Sequence, residues 1–388
     1  MIRFENVTKR YPDGTTAVDD LSFEVSEGEL VTLVGPSGCG KTTTMKMVNR
    51  LIEPSEGRIF LDGDDISAID PVQLRRRIGY VIQQVGLFPH KTVLENTATV
   101  PHLLGWKRDK GRARAAELLD LVGLDPSVYG DRYPEQLSGG QRQRVGVARA
   151  LAADPPVLLM DEPFGAVDPV VRDHLQSEFL RLQAAVRKTV LFVTHDIEEA
   201  VRLGDRIAVY GQGRIEQFDA PAAVLGTPAT PYVADFVGAD RGLKRLSVTP
   251  IEEGDLEQPP VLHLDDPLRR AAAKLEKEGA RWAVVLDSDD NLHGWISTEQ
   301  TGAEGTVREH ARRMEAWLPV GASLKQAFST MLQHDAGWIA VIDKEGTGRF
   351  LGVLTPARLH EALRRSIDAD AHAVPRTAVE LETISKIG

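Results

Sequence analysis

Apolar residues in the first 225 positions fall into short aliphatic runs separated by segments with helical character. The runs are bounded by turn signals or helix-like patterns, and they stand at 30–34, 157–160 and 190–194. Residues 110–123 carry apolar positions at helical spacing, and helices are also predicted at 142–153 and 170–187. Continuous apolar runs between helices are typical of parallel strands buried on both faces of a sheet. This part of the chain is therefore predicted to be an α/β domain.

A second pattern begins near residue 245, where the sequence repeats with a period of 56 residues. Leu268 and Trp282 of the first copy match Leu324 and Trp338 of the second copy without a gap. Further matches are Ala271 with Ala327, Val285 with Val341, Asp287 with Asp343 and, after a two-residue insertion, Gly294 with Gly352. Each copy is predicted to form a helix, a strand, a turn, a second strand and a further helix. The two tryptophans are interpreted as core or repeat-interface residues.

The two patterns are separated by a stretch whose composition indicates a linker. Residues 226–260 contain five prolines among scattered charges, which predicts a linker with some local structure. The residues from 367 lack a strong period and are predicted to be a loose tail. The predicted boundaries are 1–240 for the first domain, 241–366 for the repeats (copies at about 245–302 and 306–366) and 367–388 for the tail.

Composition and charge narrow the class of protein. The 388 residues suggest two to three domains at a typical size of about 150 residues each. The 46 Lys and Arg against 57 Asp and Glu give a formal net charge of −11, which argues against a general nucleic-acid binder. A single cysteine excludes an intrachain disulfide and a cysteine-rich zinc site. We find no signal-peptide core at the charged N-terminus and no apolar run of about 18 residues, so a membrane role is expected to require a partner.

A glycine-rich segment between a predicted strand and a predicted helix fits the phosphate-binding pattern G-x-x-x-x-G-K-[ST]. Its residues are Gly35, Pro36, Ser37, Gly38, Cys39, Gly40, Lys41, Thr42 and Thr43. Glycines let the backbone close around phosphates, and the helix N-terminus adds partial positive charge. In this motif Lys41 reaches the β- and γ-phosphates and the Thr42 hydroxyl binds Mg²⁺. The Cys39 thiol is interpreted as a small filler, with a regulatory thiol as the alternative.

Two further segments add carboxylates and a second helix N-terminus. The apolar run at 157–160 ends in Asp161 and Glu162. Beside a phosphate loop, the first carboxylate is expected to hold Mg²⁺ and the second to act as a general base toward water. Upstream, Ser138 can cap a helix whose first N–H groups can bind an anion. The residues at the start of that helix are Gly139, Gly140 and Gln141. One nucleotide does not need two such helix ends, so two copies of the chain are predicted to pair head to tail.

With these motifs in this order, residues 1–225 resemble the nucleotide-binding ATPase subunit of an ABC transporter. The loop resembles Walker A, 137–141 matches the family signature, and Asp161 with Glu162 resembles Walker B. The resemblance implies that Tyr11 stacks on adenine and that Gln83 senses Mg²⁺ and the attacking water. It also implies that His195 contacts the γ-phosphate and that Asp168 belongs to the D-loop. The D-loop sequence Gly-Ala-Val-Asp departs from the family's more usual Ser-Ala-Leu-Asp.

The resemblance also implies a fold, a mechanism and partners. The fold would be an α/β P-loop NTPase cassette with a helical subdomain, followed by an α+β tandem CBS module. ATP and Mg²⁺ would lie between Walker A of one subunit and the signature of the other, in a homodimer or a pair with a second ATPase subunit. A cassette without a fused membrane span resembles importers. That implies transmembrane permease subunits, an extracellular substrate-binding protein reached through the permease, and a peripheral position at the cytoplasmic face of the membrane.

The sequence of residues 83–96 resembles the corresponding segment of the ATPases of glycine betaine, carnitine, choline and proline importers, a subfamily that often carries a CBS pair. ATP hydrolysis would then power the import of a compatible solute. Another small polar cargo, namely an amino acid, a polyamine or a sulfonate, is the alternative. Outside transport, the rivals are a soluble ABC ATPase of DNA repair or translation and a regulatory protein with a decayed ATPase. The single cysteine and the acidic charge argue against the first rival, and intact Lys41 and Glu162 argue against the second.

In some relatives the CBS pair regulates transport by sensing ionic strength or by binding a cyclic dinucleotide. The nucleotide-binding CBS pattern puts an aspartate on the ribose where this chain has Gln300 and Arg358, although Ser297 and Thr355 remain. From residue 244 onward the chain has 18 Lys and Arg against 23 Asp and Glu, a net of −5, which does not favour an anionic membrane surface. A regulatory ligand at the CBS pair stays an open expectation.

Overall fold

The computed structural model describes residues 1–82, 86–165, 167–302, 304–343 and 347–371. The chain forms two compact units. The first unit comprises Met1–Val224 with Pro228–Ala239, and the second comprises Leu225–Thr227 with the chain from Asp240 onward. The last described helix continues through the first residues of the predicted tail to Ala371, and the rest of that tail lies outside the described residues.

Strands and helices alternate along the first unit, whereas short strands flank single helices in the second. The strands are β1 (Ile2–Arg10), β2 (Thr16–Val25), β3 (Leu30–Val34), β4 (Glu56–Leu61), β5 (Asp64–Asp65), β6 (Ile78–Val81), β7 (Val157–Asp161), β8 (Thr189–Thr194), β9 (Arg206–Gly211), β10 (Arg214–Asp219), β11 (Val261–His263), β12 (Trp282–Leu286), β13 (Leu292–Ser297), β14 (Arg312–Arg313), β15 (Trp317–Pro319), β16 (Ile339–Ile342) and β17 (Phe350–Leu354). The helices are α1 (Lys41–Val48), α2 (Pro71–Arg76), α3 (Val93–Thr97), α4 (Thr99–Leu103), α5 (Arg108–Leu121), α6 (Pro126–Tyr129), α7 (Gly139–Leu151), α8 (Pro169–Val186), α9 (Ile197–Leu203), α10 (Pro221–Gly226), α11 (Pro231–Val237), α12 (Arg241–Arg245), α13 (Leu268–Glu278), α14 (Val307–His310), α15 (Leu324–Gln333) and α16 (Pro356–Ala371). Among these described helices, none has the length and apolar character that crossing a membrane demands.

The first unit is built around a mostly parallel sheet, whose described strands have the order β10-β9-β3-β8-β7-β6. Strands β6, β7, β8, β3 and β9 pair in parallel, and β10 is antiparallel to β9. Every residue of β3 and β8 is buried, which confirms the prediction of buried parallel strands for these runs. A second, antiparallel sheet has the order β2-β1-β4-β5.

Helices fill the chain between β6 and β7. Helices α3, α5 and α7 pack on one another, and their apolar faces share a core with Leu158 of β7 and Phe192 of β8. Helices α5 and α7 coincide within a few residues with those predicted at 110–123 and 142–153, and α8 coincides with 170–187. The predicted helices are therefore confirmed, and α7 carries its first turn to the surface of the unit.

The second unit contains the two sequence repeats. In each copy a helix precedes two antiparallel strands: α13, β12 and β13 in the first, and α15, β16 and β17 in the second. This order confirms the predicted helix and two strands in both copies. The further helix is α16 in the second copy, whereas β13 of the first copy is followed by a three-residue 3-10 turn at Thr298–Gln300. Each copy also has a three-residue strand before its helix, β11 or β15, that pairs in parallel with the next strand. The indole rings of Trp282 and Trp338 stack with centroids 4.0 Å apart, which confirms that they are repeat-interface residues.

The expected linker at 226–260 holds more regular structure than its prolines suggest. Helices α11 and α12 lie within it, and Val233 and Ile251 are almost completely buried. Pro231 occupies the first position of α11, where a proline loses no helical hydrogen bond. The Thr230 hydroxyl caps this helix by accepting a hydrogen bond from Val233 N at 3.2 Å. This proline therefore begins a helix instead of interrupting one.

Candidate functional site

Three neighbouring strands of the central sheet end at the same edge of the first unit. Strands β3, β8 and β7 are adjacent and parallel, with Val34 paired to Thr194 and Asp161 paired to Val193. The residues that follow these strands therefore emerge side by side, at the carboxyl edge where α/β sheets bind ligands. We call this surface the cassette edge, and it comprises residues 35–43, Asp161, Glu162 and His195.

Two glycines of the phosphate loop, Gly38 and Gly40, have backbone conformations that favour glycine. Gly40 has φ = +107°, and a Cβ atom there would collide with the carbonyl oxygen of Ala17 at the start of β2. Gly38 has φ = +82° with open space around it, so its backbone conformation alone favours glycine. Pro36, Ser37 and Gly38 are exposed. The outer face of the loop is therefore accessible to a ligand.

Lys41 is held inside the phosphate loop. Its Nζ donates to the carbonyl oxygens of Gly35 (2.7 Å) and Pro36 (2.9 Å), and the residue is 5% exposed. The same Nζ lies 3.6 Å from Cys39 Sγ, and Cys39 is buried, in keeping with a filler role. Thr43, the third residue of α1, is half-buried. The loop thus keeps a positive charge where phosphate oxygens can replace its own carbonyls as acceptors.

Thr42 and Asp161 join the loop to the end of β7. The Thr42 hydroxyl donates to Asp161 Oδ1 at 3.0 Å. Burial raises the pKa of the Asp161 carboxyl above its ordinary value; the charge of Glu162 adds to this rise and the Thr42 hydrogen bond opposes it. A bound cation would offset the cost of burying this charge.

This pair of oxygen donors fits Mg²⁺. The ion accepts one or two protein oxygens when phosphate and water oxygens complete its octahedron. No group of three or more His, Cys, Asp and Glu side chains suited to a metal occurs among the described residues. A site that shares its metal with a phosphate ligand does not need such a group, because two protein oxygens, here those of Thr42 and Asp161, could hold the ion together with phosphate and water oxygens.

Glu162 follows β7 directly and lies against His195, which follows β8. Glu162 Oε2 is 3.2 Å from His195 Nδ1, and the Glu162 N–H donates to Val193 O at 3.0 Å. The backbone of Glu162 is left-handed, with φ = +44°, which costs about 1 kcal/mol for a residue with a Cβ atom. The carboxylate side chain is 23% exposed and the imidazole side chain 56% exposed, so both can reach a ligand. A carboxylate held in this way can accept a proton from water.

Behind His195 lies a buried carboxylate that sequence reasoning missed. Glu199 on α9 is 6% exposed and accepts a hydrogen bond from Gln176 Nε2 at 2.9 Å. Burial raises the pKa of Glu199, while hydrogen bonds from Thr194 and Gln176 oppose the rise. The Thr194 hydroxyl also accepts from Asp196 N at 3.0 Å, so the chain is fixed on both sides of the histidine. The available signal was a carboxylate four residues beyond His195, at the start of a helix.

The signature segment lies at the start of α7. Ser138 Oγ accepts from Gln141 N at 3.3 Å, and Ser138 N donates to Gln141 Oε1 at 2.9 Å, which makes a capping box. Ser138 and Gly139 are exposed, whereas Gly140 is buried. Within the described ranges, no hydrogen bond joins this segment to the phosphate loop. A single chain therefore does not join its two predicted anion-binding helix ends.

Three predicted residues remain. Tyr11 lies in the turn between β1 and β2 and is 36% exposed, and β2 begins beside the phosphate loop. Asp168 is exposed and stands immediately before α8. Gln83 lies outside the described residues.

The strand ends of the second unit are bonded within the chain. We call them the repeat edges, and they comprise Ser297, Gln300, Thr355 and Arg358. Gln300 Oε1 accepts from Ser297 N at 2.9 Å, and its Nε2 donates to a main-chain carbonyl at 2.9 Å. Thr355 Oγ1 donates to Glu257 Oε1 at 3.1 Å, and Arg358 Nε lies 3.3 Å from the same oxygen. These groups satisfy one another, which leaves less hydrogen-bonding capacity for a ribose.

Two family models match the chain. The model of the ABC transporter family matches residues 18–165, within the first unit. The model of the CBS domain matches residues 254–300 and 307–365, one match in each sequence repeat.

Three curated proteins resemble the chain over nearly its whole length. It is 43% identical over 375 residues to the glycine betaine/carnitine/choline transport ATP-binding protein OpuCA of Bacillus subtilis, a match that covers 95% of this chain and 98% of OpuCA. It is 45% identical over 354 residues to the osmoprotectant import ATP-binding protein OsmV of Salmonella typhimurium, covering 89% and 92%. It is 42% identical over 373 residues to the choline transport ATP-binding protein OpuBA of Bacillus subtilis, covering 95% and 97%.

Solved structures resemble the chain in fold. A dimeric bacterial ABC transporter cassette is 37% identical with a TM-score of 0.52, and the match covers 57% of this chain and 99% of that one. A dimeric post-hydrolysis state of that cassette, bound to ADP and phosphate, is 36% identical with a TM-score of 0.51 over the same shares. Together with the CBS matches, these likenesses confirm the predicted fold class.

Proposed function

The chain belongs to the family of ABC transporter ATP-binding subunits that includes these betaine, carnitine and choline transport proteins, and on that premise we propose that its ATP hydrolysis powers the import of a compatible solute. The cargo is of the glycine betaine, choline, carnitine or proline type. The observation that carries this proposal is the extent of the likeness, because 43% identity over 95% of the chain includes both the cassette and the CBS pair. Family membership makes the chain an ABC-type ATPase.

The phosphate loop binds ATP through its backbone and Lys41. On binding, Lys41 exchanges the carbonyl oxygens of Gly35 and Pro36 for oxygens of the β- and γ-phosphates. Thr42 and Asp161 hold Mg²⁺, which when bound neutralises charge on the phosphates. The hydrogen bond between their side chains supports this pairing, since both oxygens already face one point. Tyr11 stacks on the adenine beside the loop.

Glu162 takes the proton of the attacking water. Its pairing with His195 at 3.2 Å supports this role, because the imidazole restricts the carboxylate to one direction. With Nδ1 facing the carboxylate, the opposite ring nitrogen of His195 is left to face the γ-phosphate, and it donates there when the imidazole carries a proton on both nitrogens. Gln83, which the resemblance assigns to Mg²⁺ and water, completes the group.

Two copies of the chain sandwich two ATP molecules. The exposed N-terminus of α7 supports this arrangement, because Ser138 and Gly139 offer an anion site that no described part of their own chain fills. The partner copy then supplies its α7 N-terminus to the γ-phosphate bound at the phosphate loop, and Asp168 lies at the contact between the copies. A homodimer is the simplest form, and a pair with a second ATPase subunit is the other.

The ATPase acts at the cytoplasmic face of the membrane, on transmembrane permease subunits. An extracellular substrate-binding protein delivers the solute to the permease. The names of the curated relatives, which are ATP-binding proteins of transport and import systems, support this placement. The CBS pair regulates transport.

Uptake of labelled glycine betaine at high osmolarity tests the cargo. We expect cells with the intact gene to accumulate the label, and cells with Glu162→Gln to accumulate no more than a deletion strain. Choline, carnitine and proline are tested as unlabelled competitors. An amino acid, a polyamine or a sulfonate that competes in their place would overturn the cargo but not the ATPase. Unchanged uptake in a strain that lacks both this gene and other betaine importers would also overturn it.

A further inference from the structure

The second unit contains a cavity of about 330 Å³ lined by residues of both repeats. This volume lies at the small end of the range of about 300–1,000 Å³ for ligand pockets. Three tryptophans line it, namely Trp282, Trp295 and Trp338, out of five in the whole chain. We call this cavity the tryptophan pocket. None of the repeat-edge residues lines it, although Trp282 is the strand partner of Ser297, so the cavity lies next to one of the positions where CBS domains hold a ribose.

All three tryptophans that line the cavity are partly buried. Trp282 and Trp338 stack in parallel, 9° apart in plane and 4.0 Å between centroids. Each ring therefore has one face that its partner does not cover, and both residues are only partly buried. Trp295 already accepts a cation, since the guanidinium carbon of Arg312 lies 5.4 Å from its ring centroid. Electron-rich faces of this kind attract cations that carry little hydration.

Charged groups of both signs line the same pocket. Arg313 contributes a positive charge, and Glu315 and Asp335 contribute negative charges. His334 Nδ1 lies 3.8 Å from Glu315 Oε2, and the Glu315 side chain is 77% exposed, so its carboxylate stays available to a ligand. A nucleotide would bring phosphates toward two carboxylates. A small zwitterion would find an arginine for its anionic end and tryptophan faces with carboxylates for its cationic end.

We infer that the tryptophan pocket binds a small trimethylammonium solute, with the methylated nitrogen against the indole faces and the carboxylate of a betaine on Arg313. A regulatory role for this pocket rests in addition on the proposed function. If the imported cargo is of this class, the pocket samples the solute after it has entered the cell, and the CBS pair reads the accumulated product of the transporter.

Binding to the purified full-length chain tests the pocket without any transport. Glycine betaine, choline and tetramethylammonium are titrated while tryptophan fluorescence and heat are measured. The control ligand is the neutral isostere of choline, in which carbon replaces nitrogen. We expect saturable binding of the charged ligands and at least about tenfold weaker binding of the isostere, because only the cation gains from the ring faces. Tighter binding of betaine than of tetramethylammonium would reflect Arg313.

A filled pocket provides the matched variant. Gly337 lines the cavity, and a Cβ atom there would meet no heavy atom within 4 Å, so the backbone accepts a side chain at this position and Gly337→Leu is expected to fill part of the space. Gly302 has the same open surroundings outside the pocket, which makes Gly302→Leu the control. We expect about tenfold or greater loss of affinity in the first variant and none in the second. Glu315→Gln should weaken binding about two- to fivefold, as for an exposed charge pair.

Three outcomes would overturn the inference: no saturable binding, equal affinity for the neutral isostere, or unchanged affinity in Gly337→Leu. Preference for an adenine nucleotide at the pocket would also overturn it. The proposed cargo is tested separately, by the uptake of labelled betaine into cells, and would be overturned if this transporter does not import betaine. A chain that binds betaine but imports another solute would therefore keep the pocket and lose the cargo.

Discussion

Two helices in different units begin with the same cap and differ in what covers their first turn. Helix α7 starts with Ser138 and Gln141, and helix α15 starts with Ser323 and Gln326; in both, the serine and the glutamine exchange side-chain and main-chain hydrogen bonds. The serine N–H donates to the glutamine Oε1 at 2.9 Å in each case. The capping box alone therefore does not separate a predicted ligand site from an ordinary helix start.

The difference lies in the two N–H groups between the capping residues. At α15, Leu324 N donates to Thr249 O and Lys325 N donates to Leu246 O, both at 2.9 Å. At α7, the equivalent positions are Gly139 and Gly140, and their N–H groups find no acceptor within the described part of the chain. A helix N-terminus attracts anions only while such groups are free. The first N–H groups of α7 therefore stay available to a ligand, whereas the equivalent N–H groups of α15 are already bonded to backbone carbonyls of the second unit.

The largest effect on the open side should come from Glu162→Gln. The amide keeps the shape of the side chain but cannot take a proton from water, so we expect ATP turnover to fall about 10²- to 10⁴-fold with nucleotide binding retained. Phosphate release by the purified protein and a direct ATP titration measure the two quantities. Wild-type turnover in this variant would remove Glu162 from the role of base.

Lys41→Ala should act on binding instead. Loss of two charge-assisted hydrogen bonds to phosphate, at about 1.5–3 kcal/mol each, should weaken ATP binding by 100-fold or more. Lys188→Ala is the control, because that lysine pairs with Asp154 at 2.8 Å elsewhere in the same unit. Tight ATP binding by Lys41→Ala in a titration would contradict the assignment of the phosphate loop.

The paired caps test the contrast directly. Ser138→Ala and Ser323→Ala each remove one capping hydroxyl, so both should lower the free energy of unfolding of their unit by about 1 kcal/mol. Only Ser138→Ala should also reduce ATP hydrolysis, since its helix end is the one proposed to face the γ-phosphate bound by the partner copy. Equal activity in the two variants would show that the open N–H groups of α7 do not serve the nucleotide.

The smallest effect should be a difference in pH dependence between two carboxylates at strand ends. The pKa of Asp161 is raised by burial, whereas that of Asp287, just after β12, is lowered by main-chain hydrogen bonds from Asn291 and Asp289. A raised pKa means that the ionised form costs stability at neutral pH. A lowered pKa means that ionisation adds stability, which is lost as the pH falls through the folded-state value.

Asp161→Asn should therefore raise the melting temperature of the nucleotide-free cassette at neutral pH, and the gain should shrink as the wild-type carboxyl becomes protonated in acid. Asp287→Asn should lower the melting temperature of the repeat module at neutral pH, and that loss should shrink below the ordinary carboxyl range. Calorimetry from neutral to acid pH measures both. Shifts of the same sign would contradict the opposite environments of the two groups.

The residues of the cassette edge could be predicted because most of them lie in short contiguous sequence motifs. Gly40 and Lys41 stand in one segment with a fixed spacing, and Asp161 with Glu162 ends an apolar run. The contact between Glu162 and His195 could not be predicted from the residues alone, since it depends on β7 and β8 lying side by side.

The closure of the repeat module left no sequence signal. Every residue carries a carbonyl group, so the residue types of Thr249 and Leu246 do not show that their carbonyl oxygens accept hydrogen bonds from the first N–H groups of α15. The tryptophan pocket could not be predicted from the sequence for a related reason. The period matched Trp282 with Trp338, but Trp295 has Val353 as its counterpart, and only the fold brings the third ring to the other two.

The left-handed backbone at Glu162 sets folding against catalysis at a single position. With φ = +44°, this is a place where glycine or asparagine would relax the chain, yet the general base proposed for this position requires a carboxylate on a longer side chain. Glu162→Asn should therefore fold at least as well as the natural protein while hydrolysing almost no ATP. A redesign that selected for stability alone would favour that substitution and would thereby abolish ATP hydrolysis.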